Sequence, residues 1–67
     1  MKVFLDVMGE QEDKSFGLIH ADVFEDLNAM LNHLVNNYSN IVNLCQLDEE
    51  DKDNGDLYFE VYVKQGR

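Results

Sequence analysis

The chain has 67 residues, 45% of them apolar, and fourteen Asp and Glu against five Lys and Arg give a formal net charge of −9. That length holds a single domain, residues 1–67, which buries only about 60% of its unfolded surface, so modest stability is expected. Cys45 is the one cysteine, which excludes a disulfide framework and fits a reducing, cytoplasmic setting.

Residues 2–8 alternate as a strand, with Val3, Leu5 and Val7 on one face and Phe4, Asp6 and Met8 on the other. The opening "MKVFLDVMGE" carries one lysine and then this strand pattern, which is not that of a signal peptide. No apolar run approaches the roughly 18 residues of a membrane span. Residues 9–14 form a polar turn, and "SFGLIHA" (15–21) reads as a second strand closing a hairpin.

Apolar residues then fall at Val23, Phe24, Leu27, Met30, Leu31, Leu34, Val35 and Tyr38, in alternating steps of three and four. This predicts an amphipathic helix with one buried stripe. Asp22 followed by Glu25 resembles a capping box, and Asp22, Glu25 and Asp26 put negative charge where a helix dipole favours it. Asn28, Asn32, His33, Asn36 and Asn37 fall on the polar face, and "NNYSN" ends the helix with residues that tolerate left-handed backbone. "IVNLCQL" (41–47) is a third strand. Residues 57–64 are a fourth, with Leu57, Phe59, Val61 and Val63 facing one way and Tyr58, Glu60, Tyr62 and Lys64 the other. "NG" at Asn54-Gly55 marks the hairpin turn between them.

The order ββαββ predicts a two-layer α+β domain with the helix on one face of a four-stranded antiparallel sheet, in strand order 2-1-3-4. In that layout the loop between the last two strands shares an end with the helix start. Asp22, Glu25 and Asp26 then join Asp48, Glu49, Glu50, Asp51, Asp53 and Asp56, so nine of the fourteen acids form one pole, with Lys14, Lys64 and Arg67 toward the other.

The stretch "DEEDKDNGD" (48–56) invites comparison with a calcium loop. Glu49, Asp51, Asp53 and Glu60 match positions 1, 3, 5 and 12 of an EF-hand. The match fails because Gly55 comes one residue late, Asp56 occupies the hydrophobic position, and Glu60 sits in a strand rather than an exiting helix. Nor do His20, His33 and Cys45 have the spacing of a zinc site. The chain has no Gly-rich phosphate loop and no G-x-S-x-G elbow, and a domain this thin has little volume for a substrate pocket. No metal, no cofactor and no catalysis are expected.

If the helix covers the Val3, Leu5, Val7, Phe59, Val61 and Val63 face, the opposite face shows Phe4, Met8, Ile19 or its neighbours, Cys45, Tyr58 and Tyr62, with Asp6, Asn43, Glu60 and Lys64 among them. Aromatics and methionine exposed together are the composition of an interface, and a homodimer through this face would relieve the small core.

The acidic balance argues against direct binding to nucleic acids or anionic membranes, which rests on cations, and in favour of a basic protein partner. In length, acidity and strand-strand-helix-strand order, the run "VFLDV", "SFGLIHA", the helix from Asp22 and "IVNLCQL" resembles small acidic bacteriophage proteins that inhibit host enzymes. These include inhibitors of host RNA polymerase and of restriction, repair or CRISPR nucleases. The resemblance is one of layout without a shared motif, and the fourth strand with its acidic loop departs from the simplest such layouts. It implies an inhibitor acting in the host cytoplasm. Two functional expectations follow. One is an acidic inhibitor that occupies the basic, nucleic-acid-binding groove of an enzyme in the manner of a DNA mimic, through Asp22, Glu25, Asp26, Asp48, Glu49, Glu50, Asp51, Asp53 and Asp56. The other is an adaptor module that binds through Phe4, Met8, Tyr58 and Tyr62.

Overall fold

The computed structural model describes residues 1–48 and 55–64. Strand β1 (Val3–Glu10) and strand β2 (Phe16–Phe24) form the first hairpin, helix α1 (Leu27–Asn37) follows, and β3 (Ile41–Leu47) and β4 (Leu57–Val63) form the second hairpin. The α+β class and the ββαββ order agree with the sequence reading.

The sheet order does not. The strands lie β2-β1-β4-β3, and the sheet is mixed, because β1 and β4 run parallel at its centre. The expected antiparallel order 2-1-3-4 put β3 beside β1. A central strand is covered on both sides, and β4 suits that place better. It turns Leu57, Phe59, Val61 and Val63 to one face and two tyrosines to the other, whereas β3 carries Asn43 and Gln46 and stays at an edge. The buried strand residues all come from the two central strands: Val3, Leu5 and Val7 from β1, Val61 and Val63 from β4.

Met30 and Leu34 of α1 complete this core, and Phe24, Tyr38, Leu57 and Phe59 pack against it. The helix lies over β1 and β2. It is shorter than its apolar pattern implies. Val23 and Phe24 belong to β2, paired with Phe4 and Val3. Leu27, Leu31 and Val35 stay exposed, Val35 at 78%. The capping box at Asp22 does not form, since Asp22 is itself a strand residue. The N-cap is Asp26, whose Oδ1 accepts from the Ala29 amide at 2.8 Å, a contact worth about 1 kcal/mol. At the other end, Tyr38 terminates the helix in extended rather than left-handed backbone, its amide donating to the Leu34 carbonyl at 3.0 Å.

In the β1–β2 turn, Lys14 takes a positive φ of 74°, and Asp13 accepts from both the hydroxyl and the amide of Ser15. Those bonds hold the Asp13 carboxyl below the usual carboxylate range, so their contribution is present at neutral pH and is lost as the pH falls through the lowered value. Gly55, which closes the second hairpin, has φ 71° as the "NG" signal requires; its partner Asn54 lies outside the described residues.

Candidate functional site

The helix covers one face of the sheet, and no described element covers the other. Burial alternates residue by residue along β1, so Phe4, Asp6, Met8 and Glu10 face the open side. Register carries the face outward: β4 adds Tyr58, Glu60 and Tyr62, and β3 adds Asn43, Cys45 and Leu47. From β2 come Val23, Ala21, Leu18 and Phe16. Phe4 and Tyr58 stack with centroids 4.8 Å apart, and Phe16 meets Tyr62 edge-on at 5.2 Å. All four expected interface residues, Phe4, Met8, Tyr58 and Tyr62, therefore lie on one surface. Of the expected Ile19 or its neighbours it is Leu18 that faces this side, and sequence reading missed Phe16 and Val23. Val23 fits the apolar spacing of the helix stripe, yet it lies on β2 and extends this surface at 54% exposure. Ile19 sits at the register shift of β2.

Two carboxylates occupy the middle of this apolar surface. Asp6 and Glu60 are register partners on the parallel central strands, so they stand side by side about 4.8 Å apart along the sheet. Among the described residues, ion pairs run only from His20 and His33 to Asp22, and no lysine or arginine compensates Asp6 or Glu60. The Tyr62 hydroxyl donates to Glu60 Oε1 at 2.6 Å and fixes its orientation. That hydrogen bond, then burial, then the Glu60 charge raise the Tyr62 phenol above the ordinary tyrosine value. The stabilisation is fully present below the ordinary value and is lost only as the pH rises through the raised one. Glu60→Ala should bring the Tyr62 titration back toward about 10, read from phenolate absorbance; an unmoved titration would mean the bond does not form. Beside the pair, a cleft of about 250 Å³ is lined by Phe4, Asp6, Leu47, Tyr58 and Phe59.

The expected acidic pole depends on strand direction rather than strand order, so its described members do share one end. The end of β2, the start of α1, the end of β3 and the start of β4 lie together: Val3 pairs with both Phe24 and Leu57, and Leu47 pairs with Tyr58. Asp22, Glu25, Asp26, Asp48 and Asp56 are therefore at that end, and Lys14 and Lys64 at the other. Three of the five have internal work. Asp22 meets the histidines, Asp26 caps the helix, and Asp56 Oδ1 accepts from the Lys2 amide at 2.8 Å. Glu49, Glu50, Asp51, Asp53 and Arg67 lie outside the described residues.

His33 is not on the polar helix face. It is half-buried against Phe24 and Tyr38, with Nε2 3.6 Å from Asp22 Oδ2, while His20 Nε2 lies 2.9 Å from the same oxygen. Cys45 is on the opposite edge strand, roughly 14 Å away across three strand spacings. Among the described residues no group of three or more His, Cys, Asp or Glu is arranged to hold a metal ion. None of their helices is long and apolar enough to cross a membrane.

Comparison with known proteins finds no family model, no curated protein and no solved structure that matches the chain.

Proposed function

We propose that the chain is a non-catalytic binding protein whose open sheet face docks on a basic protein surface, the nucleic-acid-binding groove of an enzyme being the class of target that suits it, and that occupying the groove inhibits the enzyme. The observation that carries this reading is the pair Asp6 and Glu60, set in the middle of an aromatic face without a compensating cation among the described residues. Stacked aromatics beside carboxylates suit an arginine or lysine side chain, which gains a charge partner below and ring faces alongside. The acidic end adds a long-range field that speeds encounter with a positive cleft.

A second reading gives the acidic end the contact itself, as a decoy for backbone phosphates. Its support is that Asp22, Asp26 and Asp56 are held in place at one end of the sheet by internal bonds. Both readings place the protein in the cytoplasm that holds the target, the host's if the chain is phage-encoded.

The test is capture of partners from bacterial lysate with stepwise salt elution, followed by affinity measurement on the purified partner with two variants. In the first reading Tyr58→Ala with Tyr62→Ala abolishes binding, and neutralising Asp48, Glu49, Asp51 and Asp53 only slows association. The reverse result transfers the contact to the acidic end. A partner indifferent to salt and to both variants would sink both readings.

A further inference from the structure

We infer that the outer edge of β3, which no described strand pairs, is a self-association site, at which a second copy of this chain adds its own β3 antiparallel and extends the two sheets into one. The inference is independent of the partner proposed above and leaves the open face of each copy exposed. An edge strand turns the N–H and C=O of every other residue away from its neighbour, and these groups template the addition of another strand. Proteins usually guard such edges with charge, proline or a bulge. The sheet has two edges, and they differ. The β2 edge carries Asp22 and His20 and is interrupted by a register shift opposite Val7 and Met8. The β3 edge, "IVNLCQL", has no charged residue and no proline, and after an irregularity at its start it pairs regularly from Asn43 to Leu47.

Charge decides the occupant. In a chain of net charge −9 a second copy is repelled from most directions, and β3 is a strand along which it meets no carboxylate. Two-fold antiparallel pairing also points the acidic β3–β4 ends of the two copies in opposite directions. Face-to-face stacking on the open side would instead set Asp6 and Glu60 of one copy against those of the other. A charged partner segment finds no counter-charge on β3, whereas β3 itself is complementary in both backbone and character. Pairing centred on Leu44 or on Cys45 keeps the faces of the two sheets aligned, because side chains alternate with period 2. Centred on Leu44, it sets Leu44, now 39% exposed, against its own counterpart, and Ile41 and Val42, 42% and 53% exposed, opposite Leu47 and Gln46 of the second copy.

The helix supports the same side. His33 faces β2, and Leu31 and Val35, each two residues away and so turned by roughly 200°, point toward the β3 side. Leu27, Leu31 and Val35 make an exposed apolar row there.

Sedimentation equilibrium on the full chain tests this. The expected mass is twice 7.8 kDa, falling to 7.8 kDa for Leu44→Lys with an unchanged circular dichroism spectrum. A wild-type mass of 7.8 kDa up to millimolar concentration overturns the inference, as does a dimer that Leu44→Lys leaves intact. If Leu44→Lys does not fold, hydrogen exchange on the unaltered chain decides. Protection of alternate amides between Asn43 and Leu47 must rise with concentration, and protection that stays constant, or rises only in β2, overturns the assignment.

Discussion

Leu5→Ala is expected to unfold a substantial part of the population at physiological temperature. Leu5 is fully buried on a central strand, between Asp22 of β2 and Phe59 of β4 in register. Truncation removes apolar burial and leaves a cavity, together costing about 2–5 kcal/mol. A chain of 67 residues has roughly 3–10 kcal/mol in total at typical stability per residue. The loss is therefore comparable with the whole. Urea unfolding read by circular dichroism measures it, and Val35→Ala is the control. At 78% exposure that change should stay within about 0.5 kcal/mol. A loss at Leu5 no larger than the control's would mean that the core is not centred on β1.

The second large effect separates stability from binding. Replacing Asp6 by Asn and Glu60 by Gln keeps their shapes and removes two like charges that stand in register at the centre of the sheet. Like charges facing each other across strands cost about 0.2–1 kcal/mol. In a domain of this size 1 kcal/mol moves Tm by about 4–8 °C, so the double variant should melt several degrees higher. Under the proposed function the same change should weaken binding to a basic partner at least tenfold, since a lost charge-assisted contact exceeds about 1.4 kcal/mol. A more stable protein with undiminished affinity would leave the carboxylate pair without a role in docking. Stability sacrificed at one spot, with affinity gained there, is the pattern expected of a binding site.

Much of this was legible in the sequence, and the exceptions have definite causes. Period-2 alternation identified β1 and β4 with the core residues Val3, Leu5, Val7, Val61 and Val63, because a half-buried strand must alternate, while β2 and β3 were readable as short apolar runs between turn residues. It also placed Phe4, Met8, Tyr58 and Tyr62 together on the open side. The acidic end was readable because strand direction follows from element order alone. Strand order was not, since β3 and β4 can each sit beside β1 without breaking a connection rule. What decides is which of them offers the helix the more apolar face, Leu57, Phe59, Val61 and Val63 of β4 against Ile41, Leu44 and Gln46 of β3, a comparison between strands rather than a local pattern. The start of the helix was misread because Val23 and Phe24 continue the apolar spacing of α1 while also fitting the alternation of β2. Asp26, with an amide to cap three residues later, was the signal that could have resolved it. His33 was misplaced for a related reason: a narrow buried stripe of Met30 and Leu34 leaves room for a histidine to fold onto the edge strand.

The parallel pairing of β1 with β4 has a further consequence for how the chain assembles. Each hairpin closes over a short loop, but the seam that joins them sets Val3 beside Leu57, across most of the chain. Such non-local contacts slow folding, because the entropy of closing the long loop is lost before any core contact compensates for it. On a ribosome, β4 is the last of these strands to emerge. Until it does, one edge of β1 stays unpaired and Val3, Leu5 and Val7 have only β2 and α1 against them, and a cut in β4 would strip the middle of the sheet rather than fray its margin.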